Sequence, residues 1–315
     1  MRQIQYLSPS SISIYNRSKE EFYITYLADV KAPRLPQNVF MAIGSAFDAY
    51  VKSFLHQHLF GKDNDPKFAL LTLFEAQVEI QNRDKAFEHG KYCFEQYKKS
   101  GALADLMLEL EASKSRPMFE FEVRGDIGGV ILLGKPDLFF INRHDNKMLL
   151  DFKVNNFYGK SVISPMRGYI KYRPYGGAHK DCYIAAHNGT MINMSQYLDE
   201  TRKEWAEQLS IYGWLLGCEV GEQFIVAIDQ IIGLPAGDLP EIRVAEHRLR
   251  IRKEFQEAFH LSVKRIWEIV HSDHYYREMS KEESQARCQQ LETRANTLAN
   301  PITKTDVIFN AMTRG

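Results

Sequence analysis

The sequence predicts an α/β fold in a single domain, with helices before and after a central sheet. Apolar residues recur at helical spacing in the first part of the chain, form short strand-like runs between Met118 and Phe152, and return to helical spacing afterwards. No long linker rich in proline, glycine or serine divides the 315 residues into two units. We therefore expect one domain over residues 1–315, with helical additions at about 60–112 and 246–300.

The composition is that of an ordinary globular protein without a charge bias. Hydrophobic residues make up 44% of the chain and charged residues 25%, which is enough for a sizeable core. Lysine plus arginine and aspartate plus glutamate number 40 each, so any nucleic acid must be bound by a local basic patch. No apolar run reaches the ~18 residues of a membrane span, and the N-terminus lacks the apolar stretch of a secretory signal. We expect a soluble, cytoplasmic protein that contacts no membrane.

The helices before the sheet are predicted from start signals and apolar spacing. Ser8 followed by Pro9 is typical of a helix start, because serine caps the first turn and proline has no N–H that would need a partner there. A later helix carries one apolar stripe, as in a helix with one buried face. The predicted helical segments are 9–30 with a break near Asn16, 43–60, and 66–112 with interruptions near Gly90 and Gly101.

The predicted sheet begins with an antiparallel meander of about four strands. Residues 118–124 alternate apolar and polar, as in a half-buried strand, and three apolar runs follow at short spacing. Turn residues at 126–129 and 144–146 separate these runs. The later elements are predicted as a helix from a capping box at Thr201–Glu204 to a stop at Gly217, a strand at 224–232, and helices at 246–271 and 281–300.

Two aspartates mark strand ends that are expected to meet. Asp137 begins one apolar strand and Asp151 ends the next, so adjacent antiparallel strands would bring both carboxylates to one edge of the sheet. Two close carboxylates repel each other unless a cation lies between them. Oxygen ligands favour a hard ion, so Mg²⁺ or Mn²⁺ is the predicted cofactor.

Lys153 lies two residues after Asp151 and is expected on the same face of the strand. An ammonium group there can orient or help to deprotonate an attacking water, and it can stabilise charge on a phosphate. Aspartates also flank many strands for structural reasons, and a lysine beside one is often a plain ion pair on a solvated face. The residues alone leave both interpretations open.

A series of motifs occurs in an order that resembles the PD-(D/E)xK nuclease superfamily. It is similar to the RecB-type branch, which includes recombination nucleases, phage exonucleases and CRISPR adaptation nucleases. The resemblance implies a restriction-endonuclease-like core, a central mixed sheet flanked by helices. It covers about Leu7 to Leu216 and rests on Leu7–Ile12 leading into Phe22-Tyr23, Gly44–Asp48, Pro136-Asp137, Asp151-Phe152-Lys153, and the QxxxY pair Gln208 and Tyr212.

The resemblance implies roles for the residues that match the strand motifs. Asp137 and Asp151 would bind the metal ion, with the backbone carbonyl of Phe152 as a further oxygen ligand. Lys153 would be the catalytic lysine. The motifs therefore imply a centre that hydrolyses phosphodiester bonds with Mg²⁺ or Mn²⁺.

Other matching residues are given roles with an alternative beside each. Asp48 would be a metal ligand where many relatives have histidine, and a carboxylate suits a hard ion, although a solvated carboxylate would be unremarkable there. Glu122 is a further candidate ligand that could equally face outward. Gln208 and Tyr212 lie four apart on a helix and would contact nucleic acid over the site, whereas Tyr212 also fits a core stripe.

The cysteines do not indicate a metal or redox centre. No CxxC pair occurs, so neither a zinc ribbon nor a thioredoxin-like site is supported, and reduced, mostly buried thiols are expected. Some relatives bind an iron–sulfur cluster through one early and three late cysteines, but this chain has no early one, so we expect no such cluster. The four residues are Cys93, Cys182, Cys218 and Cys288.

An insertion at 154–195 combines basic and aromatic residues between Lys153 and the QxxxY helix. Basic groups bind phosphates and aromatic rings stack on bases, so we interpret the insertion as a nucleic-acid clamp. A surface loop of ordinary charge is the alternative. The residues predicted to contact nucleic acid here are Arg167, Lys171, Tyr172, Arg173 and Tyr175.

These observations lead to a functional hypothesis with named alternatives. The chain is expected to be a metal-dependent DNA nuclease, most readily an exonuclease in recombination, repair or phage DNA metabolism, with DNA and a recombination or replication protein as partners. The alternatives are a structure-specific or nicking endonuclease, a non-catalytic DNA-binding subunit with a vestigial site, and an unrelated α/β protein whose motifs arise by chance.

Overall fold

The computed structural model describes residues 2–29, 34–155, 197–234, 239–272 and 281–299. Within them the protein has an α/β structure, in which helices cover both faces of a mixed sheet. The predicted fold class is confirmed at this level. None of the helices in these ranges is long and apolar enough to cross a membrane.

The helices that precede the sheet begin with the predicted cap. The Ser8 hydroxyl accepts from the Ser11 N–H at 3.2 Å, and the Ser11 hydroxyl accepts from the Ser8 N–H at 2.8 Å. The break predicted near Asn16 falls at Ser18. The elements are α1 (Pro9–Arg17), α2 (Lys19–Phe22), a π-helical turn (Tyr23–Leu27), α3 (Val39–Phe60), α4 (Leu70–Gln77), α5 (Arg83–Ser100) and α6 (Ala102–Glu111).

Two glycines were predicted to interrupt this helical region, and only one does. Gly101 separates α5 from α6 with a φ of 91°, a left-handed conformation that suits glycine. Gly90 lies inside α5, so the predicted interruption there was wrong. A Cβ at Gly90 would lie 2.5 Å from the Ala46 Cβ on α3. Gly90 therefore lets α5 approach α3 closely.

A mixed sheet forms the centre of the described chain. Its strands are β1 (Met118–Phe119), β4 (Leu138–Ile141), β5 (Lys147–Asn155), β6 (Ile225–Leu234) and β7 (Glu241–Leu249). A separate hairpin consists of β2 (Val123–Asp126) and β3 (Ile131–Gly134). The central sheet has the order β1-β4-β5-β6-β7. β5 pairs antiparallel with β4 and parallel with β6, and β7 pairs antiparallel with β6. β5 is thus the middle strand.

The predicted meander is wrong in one respect. Residues 118–124 do not form one strand, because the chain turns at Glu120, whose φ is 39°. β1 pairs with β4, whereas β2 and β3 form a separate two-stranded sheet. The predicted turns at 126–129 and 144–146 are present.

β7 was not predicted, because its segment was expected to belong to a helix that starts at Glu246. The helix starts only at Lys253. Glu246, His247 and Arg248 are polar and resemble a helix surface, yet all three are buried in the strand. Arg248 is neutralised there by Asp229 on β6, at 2.7 Å. The segment is therefore polar because its charged residues are paired in the core, and not because they form an exposed helix surface.

The helix that carries the QxxxY pair begins differently from the prediction. The capping box at Thr201 is wrong, because Thr201 ends a preceding helical turn and Arg202 takes the N-cap position without a side-chain cap. The predicted stop at Gly217 is confirmed by its φ of 81°. The helices after β5 are α7 (Leu198–Thr201), α8 (Lys203–Leu215), α9 (Lys253–His271) and α10 (Lys281–Ala299).

The two faces of the sheet bury separate cores. Leu150 and Phe152 on β5 pack with α3 to α6, whereas Leu149 packs with α1, α8 and α9 on the other face. Successive side chains of a strand point to opposite faces, so a middle strand covered on both sides is apolar along most of its length. The polar residues of β5 are Lys147 and Asn155 at its two ends, and Asp151 and Lys153 inside it.

Candidate functional site

Asp137 and Asp151 lie opposite each other at one edge of the sheet. Leu138 pairs with Leu150, and continuing this antiparallel register pairs Asp137 with Asp151. The Phe152 N–H donates to Asp137 Oδ2 at 3.0 Å. The strand pairing thus brings the two predicted carboxylates together, one at the start of β4 and one near the end of β5.

Lys153 is held beside Asp151 by the helix on that face of the sheet. Its Nζ lies 2.5 Å from Asp151 Oδ2 and donates to Gln208 Oε1 at 3.1 Å. The amide group of Gln208 donates to Asp151 Oδ1 at 3.2 Å and to the Tyr212 hydroxyl at 3.1 Å. Gln208 and Tyr212 share one face of α8, so the QxxxY pair reaches the aspartate and the lysine together.

Asp48 reaches the same edge from α3. Its Oδ2 accepts from Gln77 Nε2 at 3.1 Å and lies 2.7 Å from Lys52 Nζ. Its Oδ1 is buried and, within the described ranges, accepts no hydrogen bond. One oxygen of Asp48 is therefore neutralised and the other is left for a further positive group.

Lys52 was not predicted and lies at the centre of the carboxylates. It follows Asp48 by one turn on α3 and is only 1% exposed. Its Nζ donates to Asp137 Oδ1 at 2.9 Å and lies 3.5 Å from Glu120 Oε2. The available sequence signal was a lysine four residues after Asp48 on an apolar helix face, where a charge must find a partner.

Glu120, rather than Glu122, reaches this cluster. Glu122 is exposed. Glu120 accepts from the Gln77 amide at 3.1 and 3.0 Å and lies 2.5 Å from Lys135 Nζ. Its left-handed backbone, at the break between β1 and β2, turns the side chain away from strand alternation. Neither Gln77 nor the turn at Glu120 follows a motif, so both were missed.

Burial disfavours the ionised form of the carboxylates in this cluster. Burial raises the pKa of Asp48 to about 7, against the attraction of Lys52. Burial likewise raises the pKa of Asp151 to about 6, against Lys153. Burial opposes ionisation of Asp137 too, but Lys52, the Phe152 N–H and Lys153 together outweigh it and lower the pKa of that carboxyl. The site therefore stabilises positive charge.

Within the described residues, no group of three or more histidine, cysteine or acidic side chains is placed to hold a metal ion. Asp48 Oδ1 is nevertheless unpartnered there, and Asp151 Oδ2 has the Lys153 ion pair without a hydrogen bond. Carboxylate oxygens in this state suit Mg²⁺ or Mn²⁺.

A groove of about 470 Å³ lies between α1 and α8 and has Lys153 in its wall. Gln208, Tyr212 and Trp205 line it from α8, and Arg17 lines it from α1. Tyr212 is 7% exposed and belongs to the core as well as to the groove. The groove gives a ligand access to the lysine. The core interpretation of Tyr212 is confirmed, and its contact with nucleic acid stays a prediction.

Several predicted residues lie outside the described ranges or away from the site. The described cysteines Cys93, Cys218 and Cys288 are free thiols, and Cys182 lies outside the described residues. Most of the basic and aromatic insertion also lies outside them, since the description stops at Asn155 and resumes at Tyr197. The predicted contacts there are Arg167, Lys171, Tyr172, Arg173 and Tyr175.

Comparison with known proteins gives no family. No protein-family model matches the sequence, and no curated protein matches it. A similar solved structure is described as "Crystal structure of SSO0001", with 11% sequence identity over 82% of this chain and 91% of that chain, and a TM-score of 0.25. A similarity of that degree leaves the function to be inferred from the site itself.

Proposed function

We propose that this protein is a Mg²⁺-dependent nuclease that hydrolyses phosphodiester bonds in DNA, with a restriction-endonuclease-like core. One observation carries the proposal: Asp137 and Asp151 meet at the strand ends, with Lys153 2.5 Å from Asp151. The residues that resemble the PD-(D/E)xK motifs are thus neighbours in space as well as ordered in sequence. A plain surface ion pair would not need the Gln208 bonds to both Asp151 and Lys153.

The metal ion would be held by Asp137 and Asp151, with Asp48 Oδ1 and the Phe152 carbonyl as further oxygens. When bound, Mg²⁺ supplies the positive charge that polarises a phosphate. The unpartnered oxygen of Asp48 supports this set. Asp48 is held in place by Lys52 and Gln77 through its other oxygen, so its free oxygen has a fixed direction.

Lys153 would act on the attacking water and on the phosphate. Its Nζ is fixed between Asp151 and Gln208, so it can orient a water and neutralise charge that develops on a phosphate oxygen. Burial opposes the charged form of Lys153, but the Asp151 carboxylate and Asp137 together outweigh it and raise the pKa of Lys153, which keeps the group charged. We therefore assign it electrostatic stabilisation and positioning rather than a role as a neutral base.

DNA as substrate and exonuclease action are extensions from the resemblance. The groove between α1 and α8 leads to Lys153 and is lined by Trp205 and Arg17, a ring and a cation of the kind that bind bases and phosphates, together with the acidic Glu204 and Glu207. Recombination, repair or phage DNA metabolism is the proposed setting, with a partner protein from that setting.

The test is digestion of linear and closed-circular DNA with Mg²⁺, Mn²⁺ or EDTA. Lys153→Met should lower the metal-dependent rate by about 10²- to 10⁴-fold, as expected on loss of a catalytic group. Lys147→Met is the matched control, because Lys147 lies at the other end of β5 and pairs with Glu222. It should cut like the wild type.

The substrate comparison separates the forms of the proposal. Cutting of linear DNA alone indicates an exonuclease, and cutting of the closed circle indicates an endonuclease. If the folded wild type binds DNA but cuts neither substrate with either ion, the nuclease proposal is abandoned in favour of a non-catalytic DNA-binding subunit.

A further inference from the structure

Lys52 is a charged group buried inside the site, and the proposed chemistry does not use it. Its Nζ lies 2.7 Å from Asp48, 2.9 Å from Asp137 and 3.5 Å from Glu120. A lysine ammonium has three N–H donors, and these carboxylates can accept all of them. Within the described residues, the ammonium group is therefore a cation surrounded by three acidic side chains.

Each of the three aspartates has one oxygen beside a lysine ammonium group and a second oxygen that is not. Asp137 accepts from Lys52 on Oδ1 and from the Phe152 N–H on Oδ2, and each oxygen has a second lone pair. Asp48 gives Oδ2 to Lys52 and leaves Oδ1 unpartnered. Asp151 pairs with Lys153 instead. Lys52 thus takes one oxygen of Asp137 and one of Asp48, and Asp48 Oδ1 and the second lone pairs of Asp137 are left for an ion.

We propose that Lys52 occupies the position of a second divalent ion, so that the centre holds a single ion between Asp137, Asp151 and Asp48. This inference rests on the proposed metal-dependent function. In two-metal centres the ions lie about 3.5–4 Å apart and share a carboxylate. Asp137 is the shared carboxylate here, with the ammonium group as its permanent cation.

Lys52 and a second ion exclude each other by charge and by distance. Mg²⁺ binds oxygens at about 2.0–2.1 Å, closer than the ammonium contacts allow, so an ion cannot enter without expelling the lysine. Lys52 is surrounded by the packed residues of α3 and is 1% exposed, so it has no solvated position to move into. Glu120 offers no oxygen to a second ion, since Lys52, Lys135 and Gln77 take its contacts.

The experiment counts Mn²⁺ ions bound per chain by calorimetry and by the electron paramagnetic resonance signal of free Mn²⁺. The wild type should bind one ion, and Asp151→Asn should lose it. Lys52→Met removes the charge while keeping the length of the side chain, and it should bind two. Lys147→Met removes a lysine that pairs with Glu222 outside the site, and this variant should bind one ion like the wild type.

Two results would overturn the inference while leaving the nuclease intact: two ions in the wild type, or one ion in folded Lys52→Met. A wild type that binds no Mn²⁺ and cuts no DNA would overturn the proposed function itself, and the inference with it. Cutting assays on the same samples distinguish these cases.

Lys52→Met leaves Asp48 and Asp137 without the cation that they share and could unfold without metal. The inference predicts that millimolar Mn²⁺ then restores its circular dichroism spectrum and raises its melting temperature more than it raises that of the wild type. The ion would supply the charge that the variant lacks. A variant that stays unfolded in Mn²⁺ would count against the inference, as would an equal rise in both proteins.

Discussion

Gln208 connects Asp151 and Lys153 through the two ends of one amide. Its oxygen accepts from Lys153, and its nitrogen donates to Asp151 and to Tyr212. A neutral side chain that bonds both members of an ion pair fixes their geometry without changing their charge. At the scale of single residues, the position of the Lys153 ammonium therefore depends on α8 as much as on β5.

Replacing Gln208 by alanine tests this positioning. Gln208→Ala should lower the rate of metal-dependent DNA cleavage by about 10- to 100-fold, because Lys153 loses its second contact. Cleavage at saturating DNA is the measurement, with the urea midpoint recorded alongside. Gln223→Ala is the control, since Gln223 bonds the Ile251 carbonyl away from the site. Equal rates in both variants would remove Gln208 from the site.

Single residues also show how far the site could be predicted. Asp137, Asp151, Lys153 and Gln208 were predictable because each belongs to a short local pattern with fixed spacing. Lys52 contacts Asp137 across 85 residues, and no local pattern records that contact. Glu120 and Gln77 depend in the same way on the packing of separate elements, so the sequence could not indicate them.

At the scale of elements, α3 and α5 approach each other through a glycine. Gly90 faces Ala46 and the backbone at Phe47 so closely that a Cβ would lie 2.5 Å from one and 2.9 Å from the other. Helices approach this closely only where one of them lacks a side chain. α3 carries Asp48 and Lys52, so this contact also sets the depth at which they enter the site.

Gly90→Ala should therefore destabilise the protein by about 1–3 kcal/mol, the usual cost of overpacking. Gly44→Ala is the matched control: it also lies in a helix, but its Cβ would meet Val154 at an ordinary 3.8 Å. That change should be neutral or stabilise by about 0.4–1 kcal/mol. Urea unfolding measures both, and equal effects would contradict the close contact.

Elements differed in how well the sequence indicated them. The helices with one apolar stripe and the strands made of apolar runs were found, because each follows a single period. β7 was missed because Glu246 and Arg248 are charged, and their burial depends on Asp229 of the neighbouring strand. β1 and β2 were merged because the left-handed backbone at Glu120 has no signal such as glycine.

At the scale of the whole molecule, a second charged cluster lies in the core on the α5 side of the sheet. Tyr97 donates a short hydrogen bond to Asp229, which also binds Arg248 at 2.7 Å. Glu246 lies 3.6 Å from Arg248 and keeps one buried oxygen without a hydrogen bond within the described chain. Burial, and then repulsion from Asp229, raises the pKa of Glu246 to about 8, against the attraction of Arg248.

Glu246 should make stability fall as pH rises. Between its ordinary pKa of 4.5 and its folded value of about 8, the folded protein holds a proton that the unfolded chain has released. The stabilisation is complete below the lower value and is lost through the higher one, with a slope of at most about 1.4 kcal/mol per pH unit. Asp48 and Asp151 contribute with the same sign and Asp137 with the opposite sign, so a variant must isolate Glu246.

Glu246→Gln keeps the shape and removes the titration. Urea unfolding at about pH 5 and about pH 8 should show the wild type losing more stability than the variant across that window. The difference between the two proteins is the contribution of Glu246. Parallel losses in both would show that the carboxyl is already ionised in the folded state.

The parallel pairing of β5 with β6 has a consequence during synthesis. The chain reaches β6 only after α8, and Gln208 meets Asp151 across 57 residues. Contacts between distant segments form late in folding, because closing the loop costs entropy before the contacts reward it. A nascent chain that already contains Asp137, Asp151 and Lys153 therefore still lacks the Gln208 contacts that hold Asp151 and Lys153 together. A ribosome that stalls before α8 leaves the candidate site incomplete, so assembly of the site requires synthesis through α8.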